Sequence, residues 1–193
     1  MLSRVPNDGC ILEGQYDIPV FEAIIPRIFP QAVVYRCLDC GGESNLMKKF
    51  PGYLRWLERI VDGRPVDKAL VIRDSGGKEP NNVLTAMQSR IAGQQFSFPL
   101  GIQLCTVRRE METWLLADEE AINALAVGRR VGTLHGDIEE IVDPKEGLMA
   151  RLTDLELDYR PSVCGQIAAA MKLEVLRYRS PSFRTFEQQV IDP

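Results

Sequence analysis

The stretch Ala69-Leu70-Val71-Ile72-Arg73-Asp74-Ser75-Gly76-Gly77 decides the fold. Its apolar run is too short for a helix of ordinary length and suits a buried strand. The strand stops at Asp74-Ser75-Gly76-Gly77, where an Asp and two glycines favour a turn. Pro80 and Asn81 then open a helix that carries Val83, Leu84, Met87 and Ile91. A strand followed at once by a helix is the repeating unit of a parallel sheet.

The same alternation extends in both directions. Upstream, Cys10-Ile11-Leu12 reads as a buried strand ending in Glu13-Gly14. Asp17 caps the next helix, in which Phe21, Ile24, Ile25 and Ile28 keep helical spacing. Pro26 is expected to kink that helix or end it near Ile25. Ala32-Val33-Val34-Tyr35 is a second strand, and Gly41-Gly42 breaks the chain after it. Ser44 is expected to cap a helix with Leu46, Phe50, Tyr53, Leu54, Leu57 and Val61 on one face, split in two by Pro51.

Downstream, Ile102 to Val107 alternates as a fourth strand. One helix is expected after it, with Met111, Trp114, Leu115, Ile122 and Leu125 inward as core residues. Beyond about Arg129 the spacing predicts short helices over 144–155, 164–176 and 182–191 and no clear strand. The expectation is an α/β fold: a mainly parallel sheet flanked by helices over residues 1–128, with residues 129–193 a helical extension packed on that core.

Composition sets the outer limits. A chain of 193 residues suits one domain and buries roughly 70% of its unfolded surface, so it needs no staple. Apolar residues make up 45% and charged residues 26%, which argues against disorder. No run of about 18 apolar residues is present to span a membrane, and the first residues lack the pattern of a secretory signal. The cysteines Cys10, Cys37, Cys40, Cys105 and Cys164 form an odd set without framework spacing, so reduced thiols and a cytoplasmic location are expected. A net charge of −4 argues against broad coating of nucleic acid. The segment 160–184 is the local exception, with Arg160, Lys172, Arg177, Arg179 and Arg184 against the single acid Glu174. It reads either as a solvated face or as a phosphate-contacting one.

Ligands of open parallel sheets bind beyond the carboxyl ends of the strands. Acids stand at those ends repeatedly: Glu13 after the first strand, Asp39 just after the second, Asp74 after the third, Glu110 and Glu112 after the fourth. Each has an ordinary reading as a turn former or a helix-start acid. Gathered on one edge they would repel one another and call for a cation. Magnesium, a hard ion that prefers oxygen and keeps several waters, needs only two or three carboxylates. Such an ion activates water or steadies the charge of phosphoryl transfer.

Ile11-Leu12-Glu13-Gly14 and Asp74-Ser75-Gly76 resemble the Toprim fold of topoisomerases, primases and nucleases related to overcoming-lysogenization-defect proteins. Its pattern is an apolar strand ending in Glu-Gly and a later strand ending in Asp-x-Asp. More closely, the chain resembles the Toprim-like family called domain of unknown function 4276. The strongest segment is Arg109-Glu110-Met111-Glu112-Thr113-Trp114-Leu115-Leu116-Ala117-Asp118. Gly41-Gly42, Tyr159, Cys164-Gly165 with Ile167-Ala168, and Arg179-Ser180-Pro181-Ser182-Phe183 follow the same family pattern. The resemblance implies Glu13 as acid or base near the scissile phosphate, with Asp74 as a Mg²⁺ or Mn²⁺ ligand and Glu112 as a further one. It also implies a setting in bacterial defence or mobile-element loci, beside an ATPase partner. The second acid of Asp-x-Asp is Gly76 here. An ion would then depend on water, Glu79, Glu112 or substrate phosphate, and bind more weakly.

Three functions follow. The first is a metal-dependent nuclease or phosphoryl-transfer protein acting on nucleic acid, with Arg177, Arg179 or Arg184 contacting phosphate. The second is a non-catalytic companion of an ATPase that keeps a degenerate metal site, and the third a nucleotide-sensing domain. Other motifs carry less. A serine-protease reading of Asp74-Ser75-Gly76-Gly77 fails because the only histidine, His135, comes after Ser75 and the pattern is α/β. Cys37-x-x-Cys40 lacks the second ligand pair of a structural zinc site. No Walker loop or Gly-x-Gly-x-x-Gly motif occurs.

Overall fold

A computed structural model of the protein describes residues 6–30, 33–59 and 66–192, except for the side chains of 33–35. Four strands form one all-parallel sheet: β1 (Asn7–Leu12), β2 (Val33–Asp39), β3 (Lys68–Asp74) and β4 (Ile102–Val107), in the order β2-β1-β3-β4. The three crossovers carry α1 (Asp17–Ile28), α2 (Glu43–Leu57) and α3 (Pro80–Ile91). After β4 come α4 (Glu112–Leu115), α5 (Glu119–Asn123), a single 3-10 turn (Ile138–Glu140), α6 (Pro144–Asp154), α7 (Pro161–Ala170), α8 (Leu173–Arg179) and α9 (Pro181–Ile191). The α/β fold with a helical C-terminal region is as the sequence predicts.

Both faces of the sheet are covered because strand side chains alternate. Cys10, Leu12, Leu70, Ile72, Cys105 and Val107 face α1 and the helices that follow β4. Ile11, Ala69 and Val71 face α2 and α3. The first layer is the deeper. In it Phe21, Trp114, Phe183 and Phe186 pack ring against ring, with centroids 5.1 to 6.3 Å apart. The C-terminal helices therefore complete the core rather than decorate it.

Several boundaries differ from the sequence expectations. Pro26 lies inside α1, which continues to Ile28; without an N–H it leaves the bond to Glu22 O unmade, yet the helix runs on for two more residues. Pro51 does not split α2, which runs unbroken from Glu43 to Leu57. Gly42 rather than Ser44 takes the position before α2, and no side chain caps it. The helix expected after β4 is two short ones, because the Asp118 side chain accepts from the backbone N–H groups of Glu120 and Ala121 and starts α5. The segment expected as one helix over 164–176 is likewise divided, between α7 and α8. Asp39 and Asp74 are the last residues of β2 and β3, not residues beyond them. Ala32 and Val61 lie outside the described residues. Met111 and Trp114 are fully enclosed core residues, and His135 is exposed.

At the opposite edge of the sheet Lys68 is buried, and its ammonium donates to the backbone oxygens of Val190 (2.9 Å) and Asp192. This clasp ties the end of α9 to the start of β3. No helix among the described residues is long and apolar enough to cross a membrane.

Candidate functional site

The chain moves from β1 outward to β2, then crosses back to β3 on the other side of β1. This reversal opens a crevice between the carboxyl ends of β1 and β3, the place where open parallel sheets bind ligands. Ile11 pairs with Val71, so the next residues bring Glu13 level with the end of β3. Glu13 Oε1 accepts a 3.0 Å hydrogen bond from the Asp74 N–H. The two acids singled out in sequence meet at one rim.

Around them lies a cavity of about 190 Å³, lined by Glu13, Gly14, Tyr16, Asp17, Gly42, Asp74, Glu110, Glu112, Lys145 and Tyr159. Five carboxylates thus share one small space with one ammonium group. Asp17 arrives at the start of α1, where its Oδ2 also accepts from the Gly14 N–H at 2.9 Å. Glu112 opens α4 and is only 6% exposed; its Oε1 accepts from the Tyr159 hydroxyl. Glu110 Oε2 accepts from the Lys145 N–H at 3.2 Å. Tyr159 stacks on Tyr16 with centroids 4.6 Å apart, and the Lys145 ammonium stands 6.0 and 5.5 Å from the Tyr16 and Tyr159 rings.

The turn after β3 is braced from β4. Ser75 is buried; its N–H donates to Val107 O and its Oγ accepts from the Arg109 N–H, both at 2.9 Å. Gly76 N–H donates to Arg109 O at 2.9 Å, and Arg109 itself sits at φ 65°. A non-glycine residue in left-handed backbone costs on the order of 1 kcal/mol and is held only by its surroundings. Here that conformation brings Glu110 and Glu112 round toward Asp74. Gly77, at φ +79°, leaves room for the Arg109 guanidinium, which a Cβ would approach to 2.9 Å.

Crowding and burial set the electrostatics. Burial, above all, pushes Glu13 up to about 7, against the hydrogen bond from Asp74 N–H. Burial pushes Asp17 up to about 6, with Glu112 and Asp39 adding to it. Asp74 is held well above the ordinary carboxylate range by burial, then by Asp17, Glu13, Glu112 and Glu110. Glu112 is raised by burial, and the Tyr159 hydroxyl partly offsets this. Arg73, buried on β3, gives limited relief: its Nε is 3.9 Å from Glu13 Oε1, and its Nη2 is engaged by Glu43.

Of the acids picked out in sequence, the cavity brings together Glu13, Asp74, Glu110 and Glu112, whereas Asp39, exposed at the end of β2, is not among its lining residues. Glu79 sits exposed at the start of α3 and does not line it. Neither do the three arginines. Arg177 forms a bidentate pair with Glu187, Arg179 donates to Ala117 O and Leu134 O, and Arg184 donates to Arg177 O. Sequence reasoning missed Asp17 as a site residue, along with Tyr16 and Lys145. The spacing Glu13-Gly14-x-x-Asp17 was the available signal, since a turn that short keeps both carboxylates on one rim.

Fold and site together define a parallel α/β domain with an acidic cavity at its topological switch point. Comparison of the chain with protein-family models, curated proteins and solved structures finds no match. Among the described residues no three His, Cys, Asp or Glu side chains are drawn together as a ready-made metal-binding group. The donor chemistry of the cavity nevertheless fits a hard divalent cation: all oxygen, mostly carboxyl, with Glu13 and Asp74 raised in pKa by burial first and by their neighbours after it.

Proposed function

We propose that this chain is a Toprim-like, divalent-metal-dependent phosphoryl-transfer protein of the nuclease type, working at the cavity beyond β1 and β3. The meeting of Glu13, Asp17, Asp74, Glu110 and Glu112 around one cavity carries this reading. Asp74 and Glu112 would hold Mg²⁺ or Mn²⁺, which when bound supplies Lewis-acid stabilisation of charge on a phosphoryl oxygen. Glu13, pushed up to about 7, is poised to give or take a proton near neutral pH. Lys145 is the cation inside the cavity and the residue to contact a substrate phosphate. Tyr159 positions the Glu112 carboxylate through its hydroxyl. The free cysteines of the described residues agree with a cytoplasmic setting.

Titration calorimetry with Mg²⁺ and Mn²⁺ tests the site. Wild type should bind at least one of them and Asp74→Ala should not. Cleavage of labelled oligonucleotides tests the chemistry, with Glu13→Gln expected to lose about 10²- to 10⁴-fold in rate. Absence of both metal binding and cleavage in the wild type would overturn the proposal.

Gly76 favours a second reading. It occupies the position of the second acid of Asp-x-Asp, in left-handed backbone (φ +56°) with nothing within 4 Å of a Cβ. A site short of that ligand suits a non-catalytic companion of an ATPase. Retention of the protein by an ATPase encoded nearby, unchanged by Asp74→Ala and Glu13→Gln, would support it.

A further inference from the structure

A groove of about 510 Å³ opens on the surface of α2 beside the edge strand β2, lined by Leu38, Lys48, Lys49, Gly52, Tyr53 and Trp56. Its composition differs from that of the acidic cavity. Lys48 and Lys49 are exposed, Tyr53 and Trp56 are half-buried, and no acid is among these lining residues. The Arg36 guanidinium lies 4.7 Å from the centroid of the Trp56 ring, which brings a third cation to the same aromatic surface. Ammonium groups beside aromatic faces, on a chain of net charge −4, form a local exception to the protein's own sign.

One short turn separates the lining of the groove from that of the acidic cavity. Leu38 lines one and Gly42 the other, and the turn between them is held from both sides. From the cavity side, Gly42 N–H donates to Glu13 O at 2.6 Å. From the groove side, the Lys49 ammonium donates to Cys40 O at 2.7 Å, and the Tyr53 hydroxyl reaches Asp39 O at 3.5 Å. A polyanion would be repelled by five carboxylates unless it were anchored next to them. The groove supplies such an anchor.

We propose that this groove docks single-stranded nucleic acid, with a base stacked against Tyr53 or Trp56 and adjoining phosphates on Lys48 and Lys49. The inference rests on the phosphoryl-transfer reading and names its substrate class. Stacking demands an unpaired base with its face open, which a base inside a duplex lacks; cations with aromatics are the means by which strands are held without regard to sequence. The strand then continues over the Asp39–Gly42 turn toward Glu13 and Asp74.

The test is fluorescence anisotropy with a labelled oligothymidylate, its RNA counterpart and a duplex of equal length, all in EDTA so that no metal contributes. The single strands should bind and the duplex should bind more weakly. Lys48→Glu, a surface change, and Tyr53→Ala should each weaken binding by roughly tenfold, the loss of one phosphate contact or one stacked base. The slope of log affinity against log salt should fall in Lys48→Glu. Emission from Trp56 should be quenched on binding, while Trp114, fully enclosed in the core, cannot report it. Equal affinity for duplex, or unchanged affinity in both variants, would overturn the assignment. Lys48→Glu should keep the wild-type heat of Mg²⁺ binding, so loss of the groove and loss of the metal site are separable results.

Discussion

At the scale of single residues, Glu13 shows how the site works against the fold. Its carboxyl is raised from 4.5 to about 7 because it is mostly enclosed, and the 3.0 Å bond from Asp74 N–H does not compensate fully. A group whose pKa is higher folded than unfolded stabilises the fold at pH below the unfolded value. That contribution is lost as pH rises from about 4.5 to about 7, because the folded state holds the extra proton. Above that range ionised Glu13 is a liability on the order of 3 kcal/mol. Glu13→Gln keeps an acceptor for the Asp74 N–H and removes the charge. In metal-free buffer at pH 8 its thermal midpoint should exceed wild type by a few degrees, about 1–3 kcal/mol, and at pH 4 the two should coincide. A midpoint equal to or below wild type at pH 8 would refute the electrostatic account. Sequence showed that Glu13 and Asp74 end their strands. It did not show Asp17 or Lys145 joining them, since Asp17 reads as a helix-capping acid; in the structure Tyr16 takes the cap position, no side chain caps α1, and Asp17, its first residue, accepts from Gly14 N–H in the turn before it. Lys145 reaches the cavity only because α6 folds back from a segment with no strand to fix its direction.

At the scale of elements, the strands were legible because three of them carry continuous apolar runs, which in β1 and β3 are buried on both faces. Their polar ends were not. β1 starts at Asn7 and includes Asp8, which is buried at 1% exposure and pushed up to about 6 by that burial. Nothing in apolar patterning announces such residues. The prolines misled for a related reason: Pro26 and Pro51 break helices in isolation, whereas here the Ile24–Ile25 and Phe50–Leu54 faces are pinned in the core on either side. The contact between α1 and α7 depends on Gly165. A Cβ there would lie 2.7 Å from Pro19 Cβ and 3.4 Å from Pro19 O, and a ring and a backbone oxygen cannot swing aside. Gly165→Ala should therefore push α7 from α1 and cost about 1–3 kcal/mol. It should show as a lower urea midpoint with unchanged slope; an unchanged midpoint would mean that the two helices separate freely.

At the scale of the whole molecule, the acidic rim and the deep core are one construction. Glu112 sits two residues before Trp114, and Trp114 packs on Phe183 and Phe186 of α9. The C-terminal helices that complete the core thus also hold α4, and with it Glu112, against the strand ends. A stable core can carry several carboxylates raised above their ordinary range, but they should leave a mark on its global stability. Glu13, Asp17, Asp74 and Glu112 are all raised, so each favours the folded state at low pH and works against it as pH climbs through its folded value. Metal-free protein should accordingly lose stability between about pH 4 and pH 8, instead of gaining it as paired surface acids would cause. A divalent ion reverses the sign by binding the ionised form of the folded state alone. At one hundred times its dissociation constant it should add about 2.7 kcal/mol at pH 8 and nothing near pH 4, where the carboxyls keep their protons. Thermal melts across that range, with Mg²⁺ and with EDTA, should therefore diverge upward in pH for wild type and run together for Asp74→Ala. Parallel curves for wild type would mean that the acids crowd the rim without recruiting a cation, and the phosphoryl-transfer reading would fall with them.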